Sequence, residues 1–242
     1  MSVFEEIADG IYRLGTDWVN WYLCDTDGAF TLIDCGFRDY YEQLPATLHE
    51  LGSKLDAVAA VVLTHYHPDH VGSAERMRTE AGATVFAPAG DANGVRAGRV
   101  PLPDGMARSL WRPSMMRYLA HAVRNHGTNV TPVSELQTYD AGELLETPVK
   151  LRAIHTPGHT AGHCALLAEN DGVLFAGDAL ANVDFFTREQ RLQTLPFNED
   201  SARAKHSLSR LEALAARTVA VGHGAPFQGT PADAVSHAHA KT

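Results

Sequence analysis

The feature that most constrains the fold is the segment Thr64-His65-Tyr66-His67-Pro68-Asp69-His70, which directly follows an apolar run over residues 57–63. The apolar run predicts a buried strand, so the segment places several imidazoles and a carboxylate on one loop at the end of that strand. Neutral imidazoles and carboxylates are ligands that suit zinc, iron and manganese. A solvated polar loop is the simpler alternative, but further turns of the same kind favour a metal site.

Those further turns also follow apolar runs. The first is Thr156-Pro157-Gly158-His159-Thr160, the second is Phe175-Ala176-Gly177-Asp178, and the third is Val221-Gly222-His223-Gly224. Together with the first loop they supply the full set of candidate ligands, which are His65, His67, Asp69, His70, His159, Asp178 and His223.

In this order the motifs resemble the metallo-β-lactamase-fold superfamily of metal-dependent hydrolases, whose pattern is HxHxDH, a His in a TPGHT turn, an Asp after Gly and a late His. The resemblance covers residues from about 10 to 227. It implies an α/β fold in which two sheets are covered outside by helices, a four-layer αββα sandwich. It also implies how the ligands divide: His65, His67 and His159 for one metal ion, Asp69, His70 and His223 for the second, and Asp178 as the bridge.

The resemblance further implies a dinuclear hydrolase. A hydroxide held between two divalent ions, with zinc favoured and iron or manganese open, would attack the carbonyl of a small ester, lactone or related acyl substrate. Asp69 is the predicted catalytic residue, because it could steer the water or carry its proton. The same ligands also suit an iron-dependent, dioxygenase-like oxidoreductase, and a metal-binding module without activity is a third interpretation.

Composition limits the partners and the compartment. The chain has 242 residues, 45% of them hydrophobic, which is enough for a sizeable core, and we predict a single domain over residues 1–242. Its formal net charge of −9 argues against nucleic acid or an anionic membrane and favours a small-molecule substrate. No signal peptide or membrane-spanning run is recognised, so we predict a cytoplasmic protein, with the oligomeric state left open. Cys24, Cys35 and Cys164 are predicted to be buried, reduced thiols.

Strand-like and helical patterns alternate along the chain. Strands are predicted over 10–15, 21–24, 29–33, 57–63, 84–86, 150–154, 163–167, 173–175 and 218–221, and helices over about 40–51, from about 72, and over about 201–215. Two predicted hairpins echo one another, since Asp27-Gly28 and Asp171-Gly172 each precede an apolar strand that runs into Asp34 or Asp178. The echo suggests a duplicated layout.

Residues from about 88 to 147 interrupt this layout and predict a helical insertion beside the site, although an ordinary surface helical hairpin would explain the segment equally well. The predicted substrate pocket uses large apolar side chains from the insertion and from near the first two strands: Trp18, Trp21, Trp111, Met115 and Met116. Packing of the insertion onto the sandwich would explain the same residues equally well.

Other residues near the motifs receive supporting roles. Asp34 resembles a family position that supports the metal loop, and His163 is predicted to be a hydrogen-bonded core histidine, with His155 as a possible partner of the ligands. His237 and His239 lie in a tail predicted to be frayed. Glyoxalase II carries Gly-Cys-Gly soon after the bridging Asp, whereas this chain has Ala179-Leu180-Ala181, which disfavours a glutathione-linked substrate.

Overall fold

Two β-sheets packed face to face form the centre of the protein, which the computed structural model describes over residues 2–98 and 106–240. The first sheet has seven strands in chain order: β1 (Ser2–Ala8), β2 (Ile11–Thr16), β3 (Asn20–Thr26), β4 (Ala29–Ile33), β5 (Val58–Val62), β6 (Thr84–Pro88) and β7 (Gln137–Tyr139). Strands β1 to β4 pair antiparallel, and β4 to β7 pair parallel, so this sheet is mixed.

The second sheet comes from the later part of the chain. Its strands are β8 (Leu144–Leu145), β9 (Leu151–His155), β10 (Cys164–Ala168), β11 (Val173–Gly177), β14 (Thr218–Val221) and β15 (Phe227–Gln228), in the spatial order β15-β14-β11-β10-β9-β8. Only the β11–β14 pair is parallel among these. A separate short pair joins β12 (Ala181–Asn182) to β13 (Leu192–Gln193).

Helices cover the outer faces of both sheets. The α-helices are α1 (Leu44–Glu50), α2 (Pro68–Val71), α3 (Ala74–Arg76), α4 (Ala92–Ala97), α5 (Met106–Ser109), α6 (Pro113–Arg124), α7 (Ser201–Ser207) and α8 (Pro231–His239). Short 3-10 helices span Arg38–Gln43, Leu55–Ala57 and Leu208–Arg210, and a π-helical turn spans Met77–Ala81. The four-layer αββα sandwich predicted from the sequence is therefore confirmed.

The strands appear in the sequence as continuous apolar runs because both of their faces are buried. On β3, Trp21 and Leu23 pack under the helices of the first sheet, whereas Tyr22 and Cys24 point to the layer between the sheets. Neighbouring residues of a strand face opposite sides, and here both sides are buried. Phe175 lies in the layer between the sheets with its ring centroid 5.3 Å from that of Tyr22, and burying such a ring stabilises the fold by about 1.5–3 kcal/mol.

Several element predictions need correction. The predicted helix over 40–51 begins as a 3-10 helix at Arg38–Gln43 and becomes α-helical only at α1, where Pro45 occupies the first turn. Strand β1 and helix α8 were not predicted. The tail is not frayed, because Thr230 and Asp233 form a capping box and one face of α8 packs against the second sheet.

The region predicted as a helical insertion contains α4, α5 and α6, and its residues 99–105 lie outside the described part of the chain. The predicted boundary of 88–147 is too wide at its end, since β7 and β8 within it pair into the two sheets. Among the described residues, no helix has the length and apolar character needed to cross a membrane.

Candidate metal centre

All seven predicted ligands meet at one edge of the sandwich, between the two sheets. The loop after β5 carries His65 and His67, and α2 carries Asp69 and His70. The other ligands follow the ends of strands in the second sheet: His159 after β9, Asp178 after β11 and His223 after β14. Strands that end at the same edge bring such loops together, although the loops are far apart in sequence.

The first cluster contains His65, His67, His159 and Asp178, all buried, with one potential ligand atom from each lying within 4.8 Å of the others. His67 Nδ1 is 3.1 Å from His65 Nε2 and 2.8 Å from His159 Nε2. Asp178 Oδ2 is 3.2 Å from His159 Nε2. Three imidazole nitrogens and a carboxylate oxygen therefore converge on one point, which is a suitable donor set for a transition metal.

The second cluster contains Asp69, His70 and His223, which are also buried and within the same 4.8 Å limit. His223 Nε2 lies 3.6 Å from Asp69 Oδ2. Asp178 reaches this cluster too, because its Oδ1 is 3.4 Å from His70 Nε2 and its Oδ2 is 3.2 Å from His223 Nε2. The geometry therefore matches the predicted position of Asp178 between the two clusters.

Hydrogen bonds fix the orientation of the ligand imidazoles on the first sheet. The Thr64 hydroxyl donates to Asp34 Oδ2 over 2.8 Å, so it is free to accept from His65 Nδ1 at 3.0 Å. Asp34 Oδ2 also accepts from His70 Nδ1 at 2.8 Å. Each Nδ1 thus carries the proton, and the Nε2 lone pairs of His65 and His70 point into the centre.

The ligand histidines on the second sheet are held in the same way. His159 Nδ1 donates to Asn198 Oδ1 at 3.0 Å, and the amide group of Asn198 is oriented by its bond to the Leu195 carbonyl. His223 Nδ1 donates to the Trp18 carbonyl at 2.6 Å. Both Nε2 atoms are left as acceptors facing the centre, which is the arrangement a cation requires.

Two buried atoms at the centre have no hydrogen-bond partner within the described chain, His70 Nε2 and Asp178 Oδ1. They face one another without hydrogen-bond geometry. Leaving such atoms unpaired in the interior is costly, and a cation between them would remove the cost. The residues therefore fit a pair of divalent cations.

The pKa shifts of His65, His67 and Asp178 agree with a site for divalent cations. Burial and the neighbouring His159 lower the pKa of His67 to about 3, and burial also lowers the pKa of His65 well below its ordinary value. Burial opposes ionisation of Asp178, but the attraction of His223 and His70 outweighs it and holds its pKa well below the usual range. Neutral imidazoles and an ionised carboxylate are the forms that bind metal.

The carboxylates around His70 create a strongly negative environment that favours a positive charge. Burial alone would lower the pKa of His70, but Asp178, Asp34 and Asp69 raise it well above its ordinary value. Bound divalent cations would neutralise these carboxylates in place of a protonated His70.

The structure also places the predicted supporting residues. Asp34 accepts the Thr64 backbone N–H at 2.7 Å and thereby ties the metal loop to the end of β4. His163 is buried and accepts the backbone N–H of Asp178 at 3.0 Å, so the core histidine also positions the central carboxylate. His155 is half-buried, bonds to the Ala161 carbonyl and contacts none of the ligands through a described hydrogen bond.

Gly222 leaves the space that Asp178 occupies. A Cβ atom at this position would overlap Asp178 Oδ1 and lie 2.9 Å from His70 Cε1. A glycine before His223 is therefore required by the close approach of the ligands, and not by the backbone angles.

The cysteines do not take part in the chemistry of the site. Cys24, Cys35 and Cys164 are free and buried, as predicted. Burial raises the pKa of Cys35 and of Cys164 to about 12, so these thiols are poor nucleophiles at neutral pH.

A cavity of about 140 Å³ opens beside both clusters. Its polar wall is formed mainly by the ligands His67, Asp69, His159, Asp178 and His223, together with Thr128. Its larger, apolar wall is formed by Phe37, Pro68, Met106, Tyr118, Leu119, Ala122, Gly127, Phe185, Leu195 and Phe197. Among the described residues of the wall there is no Lys or Arg.

None of the five predicted pocket residues lies in the described wall of this cavity. Trp21 is fully buried under the first sheet, and Trp111 and Met116 are 74% and 59% exposed. Trp18 packs against Tyr118 with ring centroids 5.7 Å apart, and Met115 packs behind Phe185, so these two support the wall from outside.

Sequence reasoning missed several residues of the site. Asn198 orients His159, Tyr118 donates to Asp69 Oδ2 at 2.7 Å, and Phe185 stacks edge-on with His223 at 4.9 Å. None belongs to a local motif. Only Phe185 stood near one, seven positions after Asp178.

Comparison with known proteins identifies the family. The profile of the Metallo-beta-lactamase superfamily matches residues 14–223, and the chain belongs to this superfamily. It is similar to the probable metallo-hydrolase YflN of Bacillus subtilis strain 168, with 26% identity over 240 residues that cover 93% of this chain and 87% of that protein. It is also similar to a hydroxyacylglutathione hydrolase of Alkalilimnicola ehrlichii, with 32% identity over 57% of this chain but only 38% of that protein.

Solved structures agree with this assignment. A metallo-beta-lactamase family protein from Thermus thermophilus superposes with a TM-score of 0.70 at 30% identity, over 96% of this chain and 78% of that chain. A B3 metallo-beta-lactamase with an active-site glutamic acid gives the same TM-score at 23% identity, over 97% and 85%, which is a likeness of fold alone. The prediction of a metal-dependent hydrolase with a histidine-rich dinuclear site is therefore confirmed.

Proposed function

We propose that the protein hydrolyses a small, uncharged ester, lactone or related acyl compound with the help of two divalent cations, of which zinc is favoured. The observation that carries this proposal is the cavity, which touches both metal clusters and is walled mostly by apolar and aromatic side chains. Such a wall binds the apolar part of a substrate, while the ligands at its base meet the polar, reacting part.

The wall also argues against anionic substrates. Phosphate and carboxylate groups are usually bound by Arg or Lys, and the described wall has neither. The hydroxyacylglutathione hydrolases to which the chain is similar are named for a substrate that carries carboxylates. With Ala179-Leu180-Ala181 after the central Asp, this chain also departs from their pattern. An uncharged acyl compound is therefore favoured over a glutathione thioester.

The protein's own residues supply orientation and proton handling. When bound, two cations would supply a nucleophile from water at neutral pH and polarise the substrate carbonyl. Asp69 lies at the cavity wall beside His223, where it can orient the attacking water and accept its proton. Phe185 and Phe197 pack edge-on with centroids 6.3 Å apart, and they exclude water from one side of the cavity.

The type of binding partner and the cellular compartment are further parts of this proposal. A formal net charge of −9 supports a small-molecule substrate over nucleic acid or an anionic membrane. Three free cysteines support a reducing compartment such as the cytoplasm.

A substrate panel on zinc-reconstituted protein tests the proposal. Uncharged lactones and aryl esters should be hydrolysed with kcat/KM at least about 100-fold above that for a glutathione thioester, a β-lactam carboxylate or a phosphodiester, which corresponds to about 2.7 kcal/mol. Preference for any of the anionic substrates would overturn the assignment.

A parallel metal measurement decides between hydrolase and oxidoreductase chemistry on these ligands. Protein loaded with zinc should be active without oxygen consumption. Stoichiometric iron with oxygen uptake on the same substrates would favour the oxidoreductase instead.

A further inference from the structure

Tyr118 joins the insertion helix α6 to the metal centre. Its hydroxyl donates a hydrogen bond to Asp69 Oδ2 over 2.7 Å, and its ring forms part of the cavity wall. A carboxylate oxygen has more than one lone pair, so Oδ2 can accept this bond while the same carboxylate faces a cation.

The position of the Tyr118 hydroxyl is fixed by the rings around it. The centroid of the Tyr118 ring lies 5.5 Å from that of Phe185, 5.7 Å from that of Trp18 and 6.2 Å from that of Phe37. One turn further along the helix, His121 Nε2 lies 2.7 Å from the Tyr40 hydroxyl and ties α6 to the 3-10 helix Arg38–Gln43. A donor held this rigidly loses little conformational entropy when it orients a ligand.

The two clusters differ in one of the groups that hold their ligands, although His70 and His223 of the second cluster are held from the sandwich by Asp34 and the Trp18 carbonyl. In the first cluster, His65 and His159 are oriented by Thr64 and Asn198, which lie on loops of the sandwich. In the second cluster, the described hydrogen bond to the side chain of Asp69 comes from α6. The second cluster therefore depends on the insertion in a way that the first does not.

We propose that Tyr118 is a positioning residue for the second cation, since its hydroxyl fixes the Asp69 carboxylate in the orientation that binds an ion together with His70 and His223. The proposal rests on the two-cation site of the proposed function, but not on the acyl substrate. Outer hydrogen-bond partners of metal ligands commonly change metal affinity by about 10- to 100-fold.

Tyr118→Phe tests this proposal, because it keeps the ring in the wall and removes only the hydroxyl. Metal-free protein is titrated with Zn²⁺ in competition with a chromophoric chelator, which resolves the two binding steps without any substrate. One of the two binding steps should become about 10-fold or more weaker, and the other should stay within about twofold of the wild-type value. Excess Zn²⁺ should then restore kcat.

Tyr41→Phe is the matched control. The Tyr41 hydroxyl donates to the Glu80 carboxylate over the same 2.7 Å, and neither residue belongs to a metal cluster. Both binding steps should be unchanged in this variant. Thermal unfolding of both metal-free variants reports any general loss of stability, which should be similar for the two.

Three results would overturn the proposal. The first is that neither binding step changes in Tyr118→Phe. The second is an equal weakening of both steps, which would indicate a general effect on the fold. The third is a loss of kcat that saturating Zn²⁺ does not restore, which would indicate that Tyr118 acts on the substrate. A wild-type chain that binds only one ion would overturn the two-cation site itself, and this shows before any substitution is made.

Discussion

Asp34 and Asp178 occupy matching positions in the two halves of the protein but have different roles. Each follows the second strand of an antiparallel hairpin, β4 or β11, and each lies at the metal centre. Asp34 is surrounded by protein donors: Oδ1 accepts the Thr64 N–H, and Oδ2 accepts the Thr64 hydroxyl and His70 Nδ1. Asp178 Oδ1, by contrast, has no protein hydrogen-bond donor among the described residues.

This difference shows why one buried carboxylate can bind a metal ion whereas the other only orients the residues beside it. A carboxylate whose lone pairs are used by the protein can orient a neighbour but has little left for a cation. One that is buried with an unused oxygen is available to bind metal, and it is costly to leave in that state. The hairpin layout places both carboxylates, and the donors around each decide its role.

The largest effect should come from Asp178→Ala, which removes the carboxylate between the clusters. Metal content should fall, and kcat/KM should drop by about three orders of magnitude, or ~4 kcal/mol of transition-state stabilisation. Asp171→Asn, at the turn of the same hairpin, should leave both unchanged. Full turnover in the Asp178 variant would show that the central carboxylate is not needed.

A smaller loss of metal content and of kcat is expected when the space beside Asp178 is filled instead. The Cβ of Gly222→Ala would push Asp178 Oδ1 and His70 out of place, and displacement of reacting groups by about 1 Å can cost on the order of 100-fold in kcat. At Gly142, where φ is +84° and an added Cβ meets nothing within 4 Å, Ala should reduce stability without changing metal content. Equal metal content in both variants would refute this account of Gly222.

Asp34→Asn tests the supporting role directly. Asn tolerates the left-handed backbone at this position, where φ is 57°, so the loop should keep its shape. Its amide could no longer accept every bond that the carboxylate accepts, and His70 would lose the partner that directs its Nε2 to the centre. We expect metal affinity to fall by about 10- to 100-fold. Affinity lowered as far as in Asp178→Ala would erase the distinction between the two carboxylates.

The smallest effect concerns the hairpin turns themselves. Gly28 and Gly172 have positive φ values of 83° and 67°, and Ala at either position should cost about 1–2 kcal/mol of unfolding free energy. Metal binding should be unaffected, since both turns lie at the far ends of β4 and β11 from the ligands. Loss of metal from either variant would show that the turns set the position of the carboxylates.

The predicted ligands lie together in the structure, and the sequence could indicate them because each lies in a short motif after an apolar strand. The sequence did not indicate the residues of the cavity wall, because they come from separated segments that only the fold brings together. Met115 and Met116 show the difficulty: neighbours on a helix are rotated by about 100°, and one is buried while the other is exposed. The capping box of α8 is visible in the sequence as Thr230 followed three positions later by Asp233, and this pattern indicates a helix start.

The most direct test of the two-cluster centre is the metal content of the purified protein. Protein equilibrated with zinc and freed of loosely bound metal should contain about two ions per chain by elemental analysis, because seven buried ligands exceed what a single tetrahedral or five-coordinate ion can use. Saturation at one ion per chain would contradict the account.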